Sequence, residues 1–186
     1  MKKKNSLSHK IQYNVLVLFV ISVALVSPLS ILPSSYSQEI SRTPQWNQEG
    51  EGVPTLRQPS GIAVDLSSGN VYVADTGSHR IQVYSGSDNG SFLEEFGEYG
   101  SEDGNFRSPE GVAVDQQGNV YVADTQNSRI QVFSGNGTFL EQLGIFSSGD
   151  DDEDMRFPEG VAVDQQGNIY MTDTANNRIS TIFFST

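Results

Sequence analysis

The sequence predicts an all-β chain made of β-propeller blades, each a four-stranded antiparallel sheet, with three blades in succession. Two observations carry this expectation. The stretch PEGVAVDQQGNVYVADTQNSRIQVF, Pro109 to Phe133, has counterparts at Pro59 to Tyr84 and at Pro158 to Phe183, so the opening prolines stand 50 and 49 residues apart. A fixed period of this size marks a supersecondary unit that buries its faces only against its neighbours. Within each copy, short β-branched and aromatic runs alternate with Gly, Asn, Asp and Ser, and no helical period is present.

In the middle copy the expected strands are Gly111 to Asp115, Val120 to Ala123, Arg129 to Phe133 and Thr138 to Leu143. Gln116-Gln117-Gly118-Asn119 and Ser134-Gly135-Asn136-Gly137 punctuate them as turns. The first two strands carry almost no polar residue on either face, as expected of strands covered on both sides. The fourth is mixed (Phe139, Leu140, Glu141, Gln142, Leu143), as suits an outer strand. A dry inner half with a wetter outer half describes a propeller blade between two neighbours.

The pattern Pro-x-Gly-Val-Ala-Val-Asp, then Gly-Asn-Val-Tyr-Val-Ala-Asp-Thr-x-Asn-x-Arg-Ile-Gln-Val-Phe, resembles the NHL repeat, the blade of NHL β-propellers. The resemblance covers Trp46 to Phe183 and places the repeats in 59–186, with blades at 59–97, 109–144 and 158–184. WD40 blades would need a Trp-Asp signature, and the single tryptophan is Trp46. Kelch blades would need paired glycines. The resemblance implies binding scaffolds, and it also admits metal-dependent lyases and lactone hydrolases. As far as the resemblance goes, the lyases use histidine ligands. Downstream of the leader His79 is the single histidine, so an enzyme of this kind would rest on a carboxylate-bound metal.

Residues 1–37 form a three-part leader. Lys2, Lys3, Lys4 and Lys10 are a basic front, Val15 to Ile21 and Val23 to Val26 are apolar, and Ser35-Tyr36-Ser37 offers small residues for cleavage before Gln38. The alternative is an uncleaved anchor over Tyr13 to Leu32, which would be the only tie to a membrane. Either way the chain is expected outside the cytoplasm or at the cell surface. All lysines lie in the leader, so seven arginines remain against 23 acidic residues, a formal charge of −16 (7 − 23). Such a surface repels phosphate backbones and argues against nucleic acid. The chain has no cysteine, hence no disulfide or thiolate site. Residues 38–58 are a linker, in which Trp46 stands as far before Pro59 as Phe96 stands before Pro109. Ser41 to Trp46 is therefore an expected outer strand.

Asp75, Asp124 and Asp173 end the second strands, and Arg80, Arg129 and Arg178 open the third strands. An Asp five residues before an Arg across a tight turn can form a charge-assisted pair that pins the blade. Residues present in every blade belong to the frame, so no catalytic or cofactor-binding residue is assigned. Asp65, Asp115 and Asp164 fall under the same argument. Asp150-Asp151-Asp152-Glu153-Asp154, matched upstream by Glu98, Glu102 and Asp103, is the densest charge run. It lacks the ordered spacing of a calcium loop and is expected to be solvated, with Ca²⁺ as the alternative.

The expected function is a non-catalytic interaction scaffold, with protein, small-molecule or glycan as ligand classes. The alternative is the carboxylate-metal enzyme. Three blades cannot close a ring, so either the chain is part of a longer propeller or two copies complete one of six blades. Export predicts a mature N-terminus near Gln38 on Edman sequencing of the native protein. A chain beginning at Met1 in a soluble cytoplasmic fraction overturns it.

Overall fold

A computed structural model describes residues 53–87, 90–144 and 154–183, which fall in one compact unit. The leader, the expected strand at 41–46 and the acidic residues 150–153 lie outside them. Blade 1 comprises β1 (Ile62–Val64), β2 (Val71–Asp75), β3 (Arg80–Tyr84) and β4 (Phe92–Phe96). Blade 2 comprises β5 (Pro109–Val114), β6 (Val120–Asp124), β7 (Arg129–Phe133) and β8 (Phe139–Leu143). Blade 3 comprises β9 (Pro158–Val163), β10 (Ile169–Asp173) and β11 (Arg178–Ile182). Each sheet is an antiparallel meander, and among the described residues the third has three strands.

The turns explain the regularity. Gly69, Gly118 and Gly167 take φ of 76°, 83° and 85°, which a residue with a Cβ adopts only under strain, and they reverse the chain between first and second strands. The second and third strands are joined by one 3-10 turn, a feature the repeat pattern did not reveal. Each such turn ends on a left-handed residue, His79, Ser128 or Asn177, which sets the register Asp124↔Arg129 through Val120↔Phe133 and its equivalents.

Alternation along the strands assigns the two faces of each blade. Tyr72, Ala74, Ile81 and Val83 of blade 1 pack against Val112, Val120, Val122 and Phe133 of blade 2. Tyr121, Ala123, Ile130 and Val132, on the other face of blade 2, pack against Ile169 and Met171 of blade 3. Phe106 and Met155, three residues before their prolines, plug the seams between blades. The backbones themselves touch along the inner strands. A Cβ on Gly61 would lie 2.2 Å from the Glu110 carbonyl oxygen, and one on Gly111 would lie 2.4 Å from that of Glu159. Only glycine permits such an approach. Hydroxyls bridge the same seams, with Thr76 Oγ1 donating to the Pro109 carbonyl at 2.6 Å and Thr125 Oγ1 to that of Pro158 at 2.7 Å.

Asp75, Asp124 and Asp173 are fully buried at the strand ends. Arg80, Arg129 and Arg178 each direct Nε at them, at 2.8, 2.7 and 2.7 Å. The second carboxylate oxygen accepts the backbone N–H of the segment that enters the same blade, from Arg57, Arg107 or Arg156. In blade 2 the network is fullest. Asn127 and Gln131 also donate to Asp124, and Arg129 continues to the carbonyls of Glu102 and Asn105 and to Gln142. Burial pushes the Asp173 carboxyl up, but hydrogen bonds from Asn176, Arg156 N–H and Arg178 outweigh it and hold the group below its usual range.

Removing one member of a buried pair strands the other's charge. The three arginine side chains are 4%, 19% and 35% exposed for Arg129, Arg80 and Arg178. Arg129→Ala is therefore expected to cost about 3 kcal/mol or more, and Arg178→Ala about 1 kcal/mol, with Arg80→Ala between them. Urea denaturation checks the order. Equal losses at the three sites would show that burial does not set their worth.

Candidate functional site

The first strands of the blades, β1, β5 and β9, line up side by side, so the turns that follow them gather at one end of the stack. They border a cavity of about 400 Å³ lined by Asp65, Leu66 and Ser67 from blade 1, Asp115 and Gln116 from blade 2, and Asp164 and Gln165 from blade 3. Val64, Val114 and Val163 form its floor.

The three carboxylates are engaged by their own turns. Asp115 accepts the N–H groups of Gln117 and Asn119 at 2.9 and 2.8 Å, the Asn119 amide at 2.8 Å and the Tyr121 hydroxyl at 3.0 Å. Asp164 repeats this set with Gln166, Asn168 and Tyr170. Its carboxyl is held below the usual range chiefly by the Asn168 side chain. In blade 1 the turn is one residue longer, Asn70 is kept, and serine hydroxyls take over as the side-chain donors to the aspartate. Burial pushes the Asp65 carboxyl up, but the hydroxyls of Ser68 and Ser67 and their backbone N–H groups donate to it, outweigh burial and hold it below its usual range. Released from that turn, the Tyr72 hydroxyl crosses to blade 2 and donates to the Gly135 carbonyl at 3.0 Å. Burial first, then the charge on Asp115, pushes the Tyr121 phenol well above its ordinary range, so it remains a donor. These carboxylates anchor their own turns, each engaged by several donors of the same blade. What remains to meet a ligand is neutral: Leu66, the amides of Gln116 and Gln165, and the acceptor side of the Ser67 hydroxyl, whose proton goes to Asp65.

The other expected residues fall elsewhere. His79 is half-buried at the seam between blades 1 and 2, where Nδ1 accepts the Ser108 N–H at 3.0 Å and the ring tilts against Tyr99 at 5.0 Å. Its counterpart Ser128 accepts the Phe157 N–H at 3.4 Å, so the position is structural. Asp103 lies 3.9 Å from Arg129, which ties the upstream acidic connector to the blade-2 frame. Among the described residues no His, Asp and Glu side chains gather as a metal-ligand set of three. Sequence reasoning gave no role to Gln82 and Gln131, which are wholly buried and donate to Asp75 and Asp124. Their signal was a glutamine recurring mid-strand in an otherwise apolar run.

At the opposite ends of the inner strands, Ser60 Oγ donates to the Glu110 carbonyl at 2.8 Å. Burial, and secondarily the charge on Glu159, raises the Glu110 carboxyl above its usual range. A raised carboxyl is penalised in the folded chain once ionised, and the penalty lifts as pH falls through its folded value. Glu110→Gln should therefore raise the melting temperature at pH 7, by an equivalent of about 0.5 kcal/mol. The gain should vanish below about pH 4. A stabilisation that persists in acid would exclude ionisation as its cause.

A comparison with curated proteins gives no match. Similar solved structures include a streptogramin B lyase, 20% identical, with a TM-score of 0.53 over 70% of this chain and 39% of that one. A gluconolactonase from Xanthomonas campestris, also 20% identical, has a TM-score of 0.47 over 64% of this chain and 36% of its own. The chain thus spans about two-fifths of the length of these neighbours, and at 20% identity the likeness to the lyase concerns the fold alone. The NHL repeat model matches residues 56–84, 106–133 and 155–181, each opening three residues before a blade's proline and ending on its third strand. The chain thus carries three NHL repeats, one on each of the three antiparallel sheets, which have the form of β-propeller blades.

Proposed function

We propose that the protein is an exported, non-catalytic binding scaffold whose ligand-facing surface is the end of the blade stack where Leu66, Ser67, Gln116 and Gln165 surround the cavity. The observation that carries this reading is the division of labour among the turn residues. The recurring carboxylates are consumed by their own turns, while the neutral positions beside them project and change between blade 1 and the others. Leu66 is 95% exposed there. Apolar surface edged by amides and a hydroxyl suits a neutral, hydrogen-bonding ligand such as a peptide backbone or a glycan. The net charge argues against a nucleic acid.

The lyase and lactonase activities of similar propellers set the test. Purified protein is assayed with streptogramin B and with an aldonolactone, with and without added divalent cations, and then screened on arrays of neutral oligosaccharides and peptides. The expected result is no turnover, and array binding that Gln116→Ala with Gln165→Ala abolishes while thermal stability is kept. Cation-dependent turnover that Asp115→Asn removes would replace the scaffold by an enzyme.

A further inference from the structure

We propose that two copies of this chain join head to tail into one closed ring, the free face of blade 3 in each copy receiving strand β1 of the other. This inference is independent of the ligand assignment above. It rests on the two seams inside the chain, which define what one blade presents to the next. Strands one and two of the leading blade meet strand one of the following blade in both seams.

Blade 3 presents the leading half of that seam with nothing described against it. Ile179 is 75% exposed, where its counterparts Ile81 and Ile130 are wholly buried. Tyr170 is 38% exposed, against 1% for Tyr72 and 6% for Tyr121. Gly160 repeats Gly61 and Gly111, yet a Cβ there would meet only the Thr172 side chain, at 3.3 Å. The glycine that each inner blade needs for backbone approach is thus present without the approach. Thr174 likewise occupies the slot from which Thr76 and Thr125 bridge to the next blade's proline carbonyl.

Blade 1 presents the following half. Val71, Val73 and Tyr84 are already packed with Leu56 and Phe92, which leaves the inner strand open. Ile62 is 67% exposed and Val64 49%, whereas Val112, the counterpart of Ile62, is 6% exposed. The two open faces are the two halves of one repeated interface, so the fitting occupant of each is the other, on a second molecule. The register follows from the internal seams: Gly160 lies over the Ser60 carbonyl of the second copy, and Thr174 Oγ1 donates to its Pro59 carbonyl. The three described blades of two copies make six, within the four to eight that close a propeller, whereas those of one copy or of three fall outside that range. Closure makes the contact finite and spares it from growing into a fibre.

Sedimentation velocity on the purified chain is expected to give twice the chain mass. Gly160→Ala should yield a monomer with an unchanged circular dichroism spectrum, because within one chain its methyl presses only on the Thr172 side chain, at 3.3 Å, which can yield slightly, whereas across the seam it meets a backbone oxygen. Ile179→Arg and Ile62→Arg should each be monomeric alone and should form a dimer when mixed, because the mixture retains one intact head-to-tail contact. A monomeric wild-type chain would assign these faces to another occupant, such as a further blade, and overturn the proposal. So would a ladder of higher oligomers, a Gly160→Ala dimer of wild-type affinity, or a mixture that stays monomeric.

Discussion

One buried carboxylate per blade holds this architecture together. Asp124 accepts from the arginine of the next strand, from a glutamine in the middle of that strand, from the asparagine of the intervening turn and from the N–H of the segment entering the blade. An ionised carboxylate has about four acceptor directions, and here protein donors occupy them. The wide loop before β5 is thereby fixed to a strand end that follows it in sequence. Without that anchor, Phe106 would not be delivered to the seam where it meets Phe96 and Phe133. Polar satisfaction at one point thus decides apolar packing at another.

The same economy explains where variation is tolerated. The charged groups of the frame are committed to fixed donors, and substitution there leaves an unpaired charge in the interior. The turns at the end of the stack are constrained only at the aspartate and the glycine. Blade 1 inserts a residue, keeps Asn70 but binds Asp65 through the Ser67 and Ser68 hydroxyls, and turns Tyr72 to a new partner, with β2 and β3 still paired along their full length. Recognition can therefore differ between blades without altering the sheet.

The strands, their order and the Asp–Arg spacing were legible because each is a local pattern. Arg129 to Phe133 is a strand at the expected bounds, and the fourth strand begins one residue later than its alternation suggested. The roles of Gln82 and Gln131 were hidden because a buried glutamine is recognisable only once its acceptor is known. Thr76 and Thr125 were missed for a related reason: their acceptors are backbone carbonyls 33 residues away, and a carbonyl has no signature in sequence. His79 stands in the sequence only as a lone histidine, whereas its neighbours across the seam make it a bridge. The cavity was invisible as well, because three turns some fifty residues apart meet only after the blades stack.

The bridging threonines carry a consequence for how such chains arise. Thr76 and Thr125 bond to main-chain oxygens, and the glycines of the same seams admit main chain, so these contacts recognise the course of a backbone, while the apolar side chains of the seam recur in each copy. A copied segment of one period therefore enters with both of its joints already compatible. Blade number can drift by duplication or loss while every junction stays well formed, and novelty is left to accumulate in the turns.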